Sequence, residues 1–225
     1  MNLRKTASLA LASTLAAASL WSATTASPAA PTTNRRYRVT VPNVTKGQLF
    51  APTLIASHDS GARLFELGGS ASPGLAHLAE EGDPSILAGE LDMNPNVRFV
   101  RTSGGMLMPG ESMTTTVLTD TDHPLFSVAG MLVSTNDGFF ALRDVPAPSS
   151  RSTRLARVYD AGSEANSEDC AFIPGPPCGN GGAHDPAPAE GYVRIHEGIH
   201  GQGGLAPEMF DWRGEVAEVT FERVQ

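Results

Sequence analysis

Two histidines near the carboxyl end of the chain have the spacing of a metal-binding motif. His196 and His200 are four residues apart, and Glu197 directly follows the first of them, as in zinc metalloproteases. In those enzymes the motif lies on a helix, which brings both rings to one face. Here Gly198 disfavours a helix, and the residues before His196 alternate between apolar and polar as in a strand. We therefore expect structural or surface histidines, and a metal site that also uses His184 is the alternative.

Other signals of catalysis are weak. Residues 68–72 are rich in glycine and serine but lack the spacing of a serine-hydrolase nucleophile turn. Residues 103–105 contain two glycines, but no Lys-Ser or Lys-Thr of a phosphate-binding loop follows them. The sequence therefore predicts a binding protein and not an enzyme. The alternative from another class is a metal-dependent hydrolase that uses His196 and His200.

The amino-terminal residues have the order of a secretory signal peptide. Two basic residues precede an apolar run over residues 7–20, and small residues follow. We expect a signal peptide over residues 1–26, a disordered linker over 27–35 and one domain over 36–225. No other segment is apolar for long enough to span a bilayer. The sequence thus predicts secretion, to the periplasm or to the extracellular space.

The two cysteines, Cys170 and Cys178, are expected to pair. An even number of cysteines in an exported protein favours a disulfide, and no third thiol competes. The intervening segment is short, so the bridge is expected to shape a surface loop more than to hold the fold. The Gly/Pro-rich residues 174–191 follow as an irregular loop, a kind of segment that is often functional.

The chain is acidic, with 24 acidic residues against 16 basic ones. Such a balance favours cations as ligands and disfavours nucleic acid and anionic membranes. We therefore expect no nucleic-acid partner and no membrane binding.

Short runs of alternating apolar and polar residues, typical of half-buried strands, are separated by Gly/Pro-rich turns. The runs are residues 36–41, 97–99, 113–118, 125–133, 139–142, 155–159, 192–195 and 217–221. About eight such strands predict an all-β fold, an antiparallel β-sandwich or a barrel. Helical signals are confined to residues 73–91, where Gly82 ends one short helix and Asp83 caps the next. This pair is expected to form a helical cap across one end of the sandwich.

Several short segments have the order and spacing of one known domain. They are residues 50–58 with 63–66 and 68–74, 78–82, 123–127 with 134–140, 160–164, and 199–201 with 211–213. Together they resemble the spondin N-terminal domain, which is found in F-spondin and in bacterial secreted proteins. The similarity extends from about Tyr37 to Val224.

The resemblance implies a β-sandwich related to the calcium-binding domains of synaptotagmin and protein kinase C, with calcium held between loops at one end. Matched residue by residue, the calcium ligands fall on Asp137, Asp160 and Glu164. Gly138 stands where the family usually has tryptophan, and Glu164 where it usually has aspartate. The implied function is extracellular binding or adhesion, with a protein or glycan partner. A calcium-dependent lipid-binding domain is a further alternative, which the acidic charge opposes.

The residue types agree with this ligand set. Calcium takes six to eight oxygen ligands, and carboxylates on loops can approach it from several directions. Asp137 lies between two predicted strands, and Asp160 directly follows another. Gly162 allows the backbone to turn after Asp160. The alternative is that both aspartates only cap turns, as aspartate often does beside glycine.

Overall fold

The structure is a computed structural model, and it describes residues 33–224. The predicted signal peptide, residues 1–26, lies outside the described residues, as does most of the predicted linker. Within the described part are nine strands and three short helices. The strands are β1 (Arg35–Pro42), β2 (Leu54–His58), β3 (Val97–Thr102), β4 (Ser112–Thr119), β5 (Leu125–Met131), β6 (Gly138–Pro146), β7 (Arg151–Asp160), β8 (Arg194–Ile195) and β9 (Ala217–Arg223). The helices are α1 (Pro73–Glu81), α2 (Ser85–Asp92) and α3 (Pro207–Phe210).

The strands form one antiparallel, nearly closed sheet in the order β3-β2-β5-β6-β7-β9-β1-β4, with β8 paired to β7. Strand β7 connects two layers, because its first part pairs with β9 and its last part with β6. The two ends of the sheet approach each other, and Ser57 Oγ on β2 donates a hydrogen bond to the Leu118 carbonyl on β4 at 2.6 Å. The predicted all-β antiparallel fold is confirmed.

Aromatic rings fill the core between the layers. Phe126 stacks on Phe221 and meets the ring of Tyr37 edge-on, each with ring centroids 5.1 Å apart. Phe50 and Phe140 pack with centroids 4.4 Å apart. These residues come from strands of both layers and from the segment before β2, so burial of their apolar area drives closure of the sheet.

A second buried cluster lies under α1 and α2. It includes Leu75 and Leu78 of α1 together with Leu54 of β2 and Phe139 of β6. The helices therefore cover the outer face of β2, β5 and β6, whereas the sequence had suggested an end of the sandwich. Every residue of β2 is buried as a consequence.

Local signals fix the bounds of the helices. Ser72 Oγ accepts a hydrogen bond from the Leu75 N–H at the start of α1, and Gly82 ends the helix in the left-handed conformation that glycine adopts easily. Helix α2 begins at Ser85, whose N–H donates to Asp83 Oδ1 at 2.9 Å. No helix within residues 33–224 has the length and apolar character that a membrane span requires.

The predicted disulfide is present between Cys170 and Cys178, and their Cα atoms are 4.9 Å apart. Cys178 packs against a small buried cluster of Ile173, Ile199 and Leu205. The bridge therefore closes a turn within the loop after β7, and this turn packs against the segment before α3.

Reduction of this disulfide is expected to lower the free energy of unfolding by less than ~3 kcal/mol, because the closed segment is shorter than 15 residues. Urea denaturation with and without reductant measures the difference. Mass spectrometry after alkylation under non-reducing conditions should find no free thiol. Two alkylated cysteines in the native protein would contradict the pairing.

Candidate metal-binding site

The end of β7 and the start of β6 place two aspartates side by side. Asp160 is the last residue of β7 and pairs in register with Gly138, the first residue of β6. Asp137 directly precedes β6, and its carbonyl accepts a hydrogen bond from the Ala161 N–H at 3.2 Å. Both aspartates are fully buried. The antiparallel register thus brings together two of the three predicted ligands.

Only one carboxylate oxygen of Asp137 has a hydrogen-bond partner. Oδ2 accepts hydrogen bonds from the N–H groups of Ser163 at 2.8 Å and Glu164 at 3.1 Å. Oδ1 is buried and has no hydrogen-bond partner among residues 33–224. Burial, and then the negative charge of Asp160, raise the pKa of Asp137 to about 7. The folded protein therefore holds a buried carboxylate that lacks a compensating positive charge.

Asp160 is better compensated than Asp137. Its Oδ1 accepts a hydrogen bond from the Gly162 N–H at 2.7 Å. Its Oδ2 lies 2.9 Å from an Arg194 guanidinium nitrogen and also accepts a hydrogen bond from Asn166 Nδ2. Burial, and then the charge of Glu190, nevertheless raise its pKa. Asp160 is thus part of a charged network that extends beyond Asp137.

Glu190 is a third carboxylate near the two aspartates, and the sequence did not single it out. Its charge raises the pKa of both Asp137 and Asp160. Its Oε1 lies 2.7 Å from Arg194, while its Oε2 is buried without a hydrogen-bond partner in the described part of the chain. Glu190 lies in the irregular loop before β8, and no local pattern marks a carboxylate there. Two buried carboxylate oxygens of this network therefore lack partners.

The side chain of Glu164, the third predicted ligand, has contacts with residues other than Asp137 and Asp160. Its Oε1 accepts hydrogen bonds from Asn136 Nδ2 at 3.1 Å and from the Asp185 N–H at 2.8 Å. Its Oε2 lies 3.6 Å from His184 Nδ1. Burial raises the pKa of Glu164. In the described part of the chain, one group of three metal-ligating side chains has its ligand atoms within 4.8 Å of one another, and it comprises Glu80, Glu164 and His184.

Gly138 is explained by close packing. A Cβ atom there would lie 2.7 Å from Thr135 Oγ1 and 3.0 Å from His196 Cδ2. A tryptophan, which the resemblance leads one to expect here, would not fit without displacement of the Thr135 and His196 side chains. His196 thus occupies part of the space beside this turn.

The three histidines of the alternative metal site lie in separate surroundings. Nδ1 of His196 accepts the Gly198 N–H at 3.0 Å, so the neutral ring carries its proton on Nε2, which has no partner. Burial lowers the pKa of His196 to about 3. His200 lies 3.7 Å from Glu168, and His184 lies beside Glu80 and Glu81. Because Nδ1 is an acceptor, His196 has no lone pair on Nε2 for a metal ion.

Glu168 has a structural role that the sequence did not reveal. Its carboxylate accepts three backbone hydrogen bonds, from His200 at 2.6 Å, Gly201 at 2.7 Å and Gln202 at 2.9 Å. Its own N–H donates to Asn136 Oδ1 at 3.2 Å. The residue adopts a φ of 54°, in the left-handed region that non-glycine residues rarely occupy. Glu168 therefore holds the segment after β8 against the turn that contains Asp137.

The fold and this site define an all-β module with a buried, acidic cluster where two strands end. A comparison with protein-family models matches the family described as Spondin_N over residues 15–145, which is more than half of the chain. The chain belongs to the spondin N-terminal domain family. Proteins of this family are not typically enzymes, and the family together with the disulfide indicates an extracellular β-rich module. A comparison with curated proteins found no match. The matched range contains Asp137 and ends before Asp160.

Proposed function

We propose that this chain is an extracellular binding module that takes a calcium ion at Asp137 and Asp160, with Glu190 as a third carboxylate. The observation that carries the proposal is the buried Oδ1 of Asp137, which has no hydrogen-bond partner although a neighbouring aspartate adds like charge. An unpaired buried carboxylate is strongly unfavourable, so a cation at this place would relieve both desolvation and repulsion.

The donor atoms are of the type that a hard cation prefers, and calcium would have to draw the three carboxylates closer together, because their oxygens are not all within 4.8 Å of one another in the structure. Calcium prefers carboxylate oxygens, and these are provided by Asp137, Asp160 and Glu190. The proposed ligand set, drawn from the described residues, contains no sulfur or imidazole. Calcium supplies positive charge and connects separate loops when it binds. The residues of this chain contribute the rest: the N–H groups of Ser163 and Glu164 orient Asp137, and the Gly162 N–H orients Asp160.

Arg194 occupies a position that competes with an ion. Its guanidinium contacts Asp160 at 2.9 Å and Glu190 at 2.7 Å, and a terminal nitrogen also reaches Glu197 at 2.7 Å. The guanidinium neutralises part of the cluster and does not contact Asp137. We therefore expect calcium binding to weaken the Arg194–Asp160 contact, which limits the affinity of the site.

In this proposal Glu164 has a role other than that of the calcium ligand that the resemblance implied. Its backbone N–H orients Asp137, whereas its carboxylate is held by Asn136 and the Asp185 N–H. The turn that contains Glu164 is thus needed for the calcium site, but its side chain contributes little to it.

Calcium would order the loops that follow β7 and precede β8, and these loops form the surface on which we propose that an extracellular protein or glycan docks. The acidic balance of the chain and the position of the site at strand ends support this assignment. In this proposal the same loops bind the calcium ion and the extracellular partner.

Calcium is expected to stabilise the protein. If the Kd is that of extracellular modules, about 10⁻⁴ to 10⁻³ M, then ~10 mM calcium adds about 1.4–2.7 kcal/mol to the free energy of unfolding. The variant Asp160→Asn should lose most of this gain, because it removes a charged ligand at nearly constant volume. Thermal melting in calcium and in chelator, together with calorimetric titration, measures the effect.

Matched variants distinguish side chains that bind calcium from side chains that only lie near the site. Glu190→Gln should weaken calcium binding, while Glu164→Gln and the exposed control Asp92→Asn should retain it. Equal melting temperatures of the wild type in calcium and in chelator, with no heat of calcium binding, would remove the calcium assignment.

A further inference from the structure

His184 connects the irregular loop of residues 174–191 to helix α1. Its Nε2 lies 3.0 Å from Glu81 Oε1, and its Nδ1 lies 3.2 Å from Glu80 Oε2. The same Nδ1 lies 3.6 Å from Glu164 Oε2, in the turn after β7. One imidazole therefore faces carboxylates from two separate parts of the fold.

The contacts of the two ring nitrogens differ in kind. With the proton of a neutral ring on Nε2, which lies 3.0 Å from Glu81 Oε1, the lone pair is on Nδ1. Nδ1, Glu80 and Glu164 then offer one ligand atom each, and these three atoms lie within 4.8 Å of one another. A carboxylate that orients a histidine from the far side is the arrangement that accompanies many histidine ligands in metal sites.

The surroundings of the three ligand atoms favour positive charge. Glu80 and Glu81 lie in the last turn of α1, where the helix dipole is negative and where no basic residue is present. The Glu164 side chain is 3 % exposed, while that of His184 is 46 % exposed. The group is thus anchored by a buried carboxylate and remains open to solvent on the loop side.

We infer that Glu80, Glu164 and His184 Nδ1 bind a divalent transition-metal ion, with zinc as the representative, and that Glu81 positions the histidine. Two carboxylate oxygens and one imidazole nitrogen are a donor set for such an ion, and a mixed set of this kind is less suited to calcium. The bound ion fixes the 174–191 loop to helix α1. This site is separate from the proposed calcium site, although both use the turn that contains Glu164.

The test is a titration of metal-stripped protein with Zn²⁺ by calorimetry and with Co²⁺ by visible absorption. We expect one ion per chain and a Co²⁺ absorption band from the imidazole-ligated metal. His184→Gln should abolish both signals. Glu81→Ala should weaken binding about 10- to 100-fold without changing the Co²⁺ band, because it removes the carboxylate beside Nε2 and no ligand.

Two controls make the outcome decisive. His77 lies on helix α1, as Glu80 and Glu81 do, and contacts Asp83. The variant His77→Gln should therefore bind zinc like the wild type. Asp137→Asn should bind zinc but not calcium, so failure of one site is distinguishable from failure of the other. Circular dichroism of His184→Gln in chelator shows whether the variant folds. Absence of Zn²⁺ binding to the wild type, or unchanged binding in folded His184→Gln, would overturn the inference.

Discussion

Asp137→Asn is expected to stabilise the metal-free protein at neutral pH by about 2–4 kcal/mol and at the same time to abolish calcium binding. The substitution replaces a buried, partly unpaired carboxylate by an uncharged amide of nearly equal size. Its oxygen can still accept the N–H groups of Ser163 and Glu164. The variant therefore removes the charge and retains the packing.

The sign of the pH dependence follows from the pKa of Asp137. Burial and the charge of Asp160 raise this pKa from 3.8 to about 7 in the folded protein. A carboxyl group whose pKa is higher in the folded than in the unfolded protein does not destabilise the fold below its unfolded pKa. The free energy of unfolding falls as the pH rises from about 4 to about 7. The full rise of the pKa corresponds to an upper bound of about 4 kcal/mol. Asp160 and Glu164 also have raised pKa values and act in the same direction.

Denaturation with urea in chelator, at a series of pH values from acid to neutral, measures this effect. The difference in stability between Asp137→Asn and the wild type should be small at acid pH and should grow toward neutral pH. In calcium the wild type should recover stability and the variant should not. The exposed control Asp92→Asn should follow the wild type throughout. If the variant is less stable than the wild type in chelator at neutral pH, then the buried charge of Asp137 does not destabilise the fold.

Glu168→Ala is expected to lower the free energy of unfolding by about 3–5 kcal/mol. The carboxylate accepts three backbone hydrogen bonds from consecutive residues 200–202, and hydrogen bonds to a charged group contribute about 1.5–3 kcal/mol each, although not additively. Alanine leaves these donors without their partner. In this variant the backbone of residue 168 is still in the left-handed region, but the side chain whose hydrogen bonds stabilise that conformation is lost.

Urea denaturation gives the change in stability, and hydrogen exchange of the amides of His200, Gly201 and Gln202 shows where it acts. Glu168→Gln should be intermediate, because one oxygen still accepts while the amide group faces backbone N–H donors. Glu218→Ala, at an exposed position of β9, should stay within about 0.5 kcal/mol of the wild type. Unchanged exchange of the three amides in Glu168→Ala would contradict the proposed role.

The sequence determined the elements that bury one face. Strand β1 alternates in polarity because one side faces the core and the other faces solvent, so the period of two was visible without a structure. Helix α1 was predicted because Gly82, directly after it, is a residue that commonly ends helices. Strand β2 was missed, because α1 and α2 bury its second face and remove the alternation.

The chemistry of the site divides in the same way. The resemblance to the spondin N-terminal domain predicted Asp137 and Asp160 as ligands, in agreement with their predicted position at strand ends, and the cysteine count predicted the Cys170–Cys178 pair. The tertiary structure decided which carboxylates share a neighbourhood: it added Glu190 to the aspartates and turned the Glu164 side chain toward His184. Strand register follows a short local period, whereas the path of a long glycine- and proline-rich loop depends on contacts between residues far apart in the chain, which no local pattern encodes.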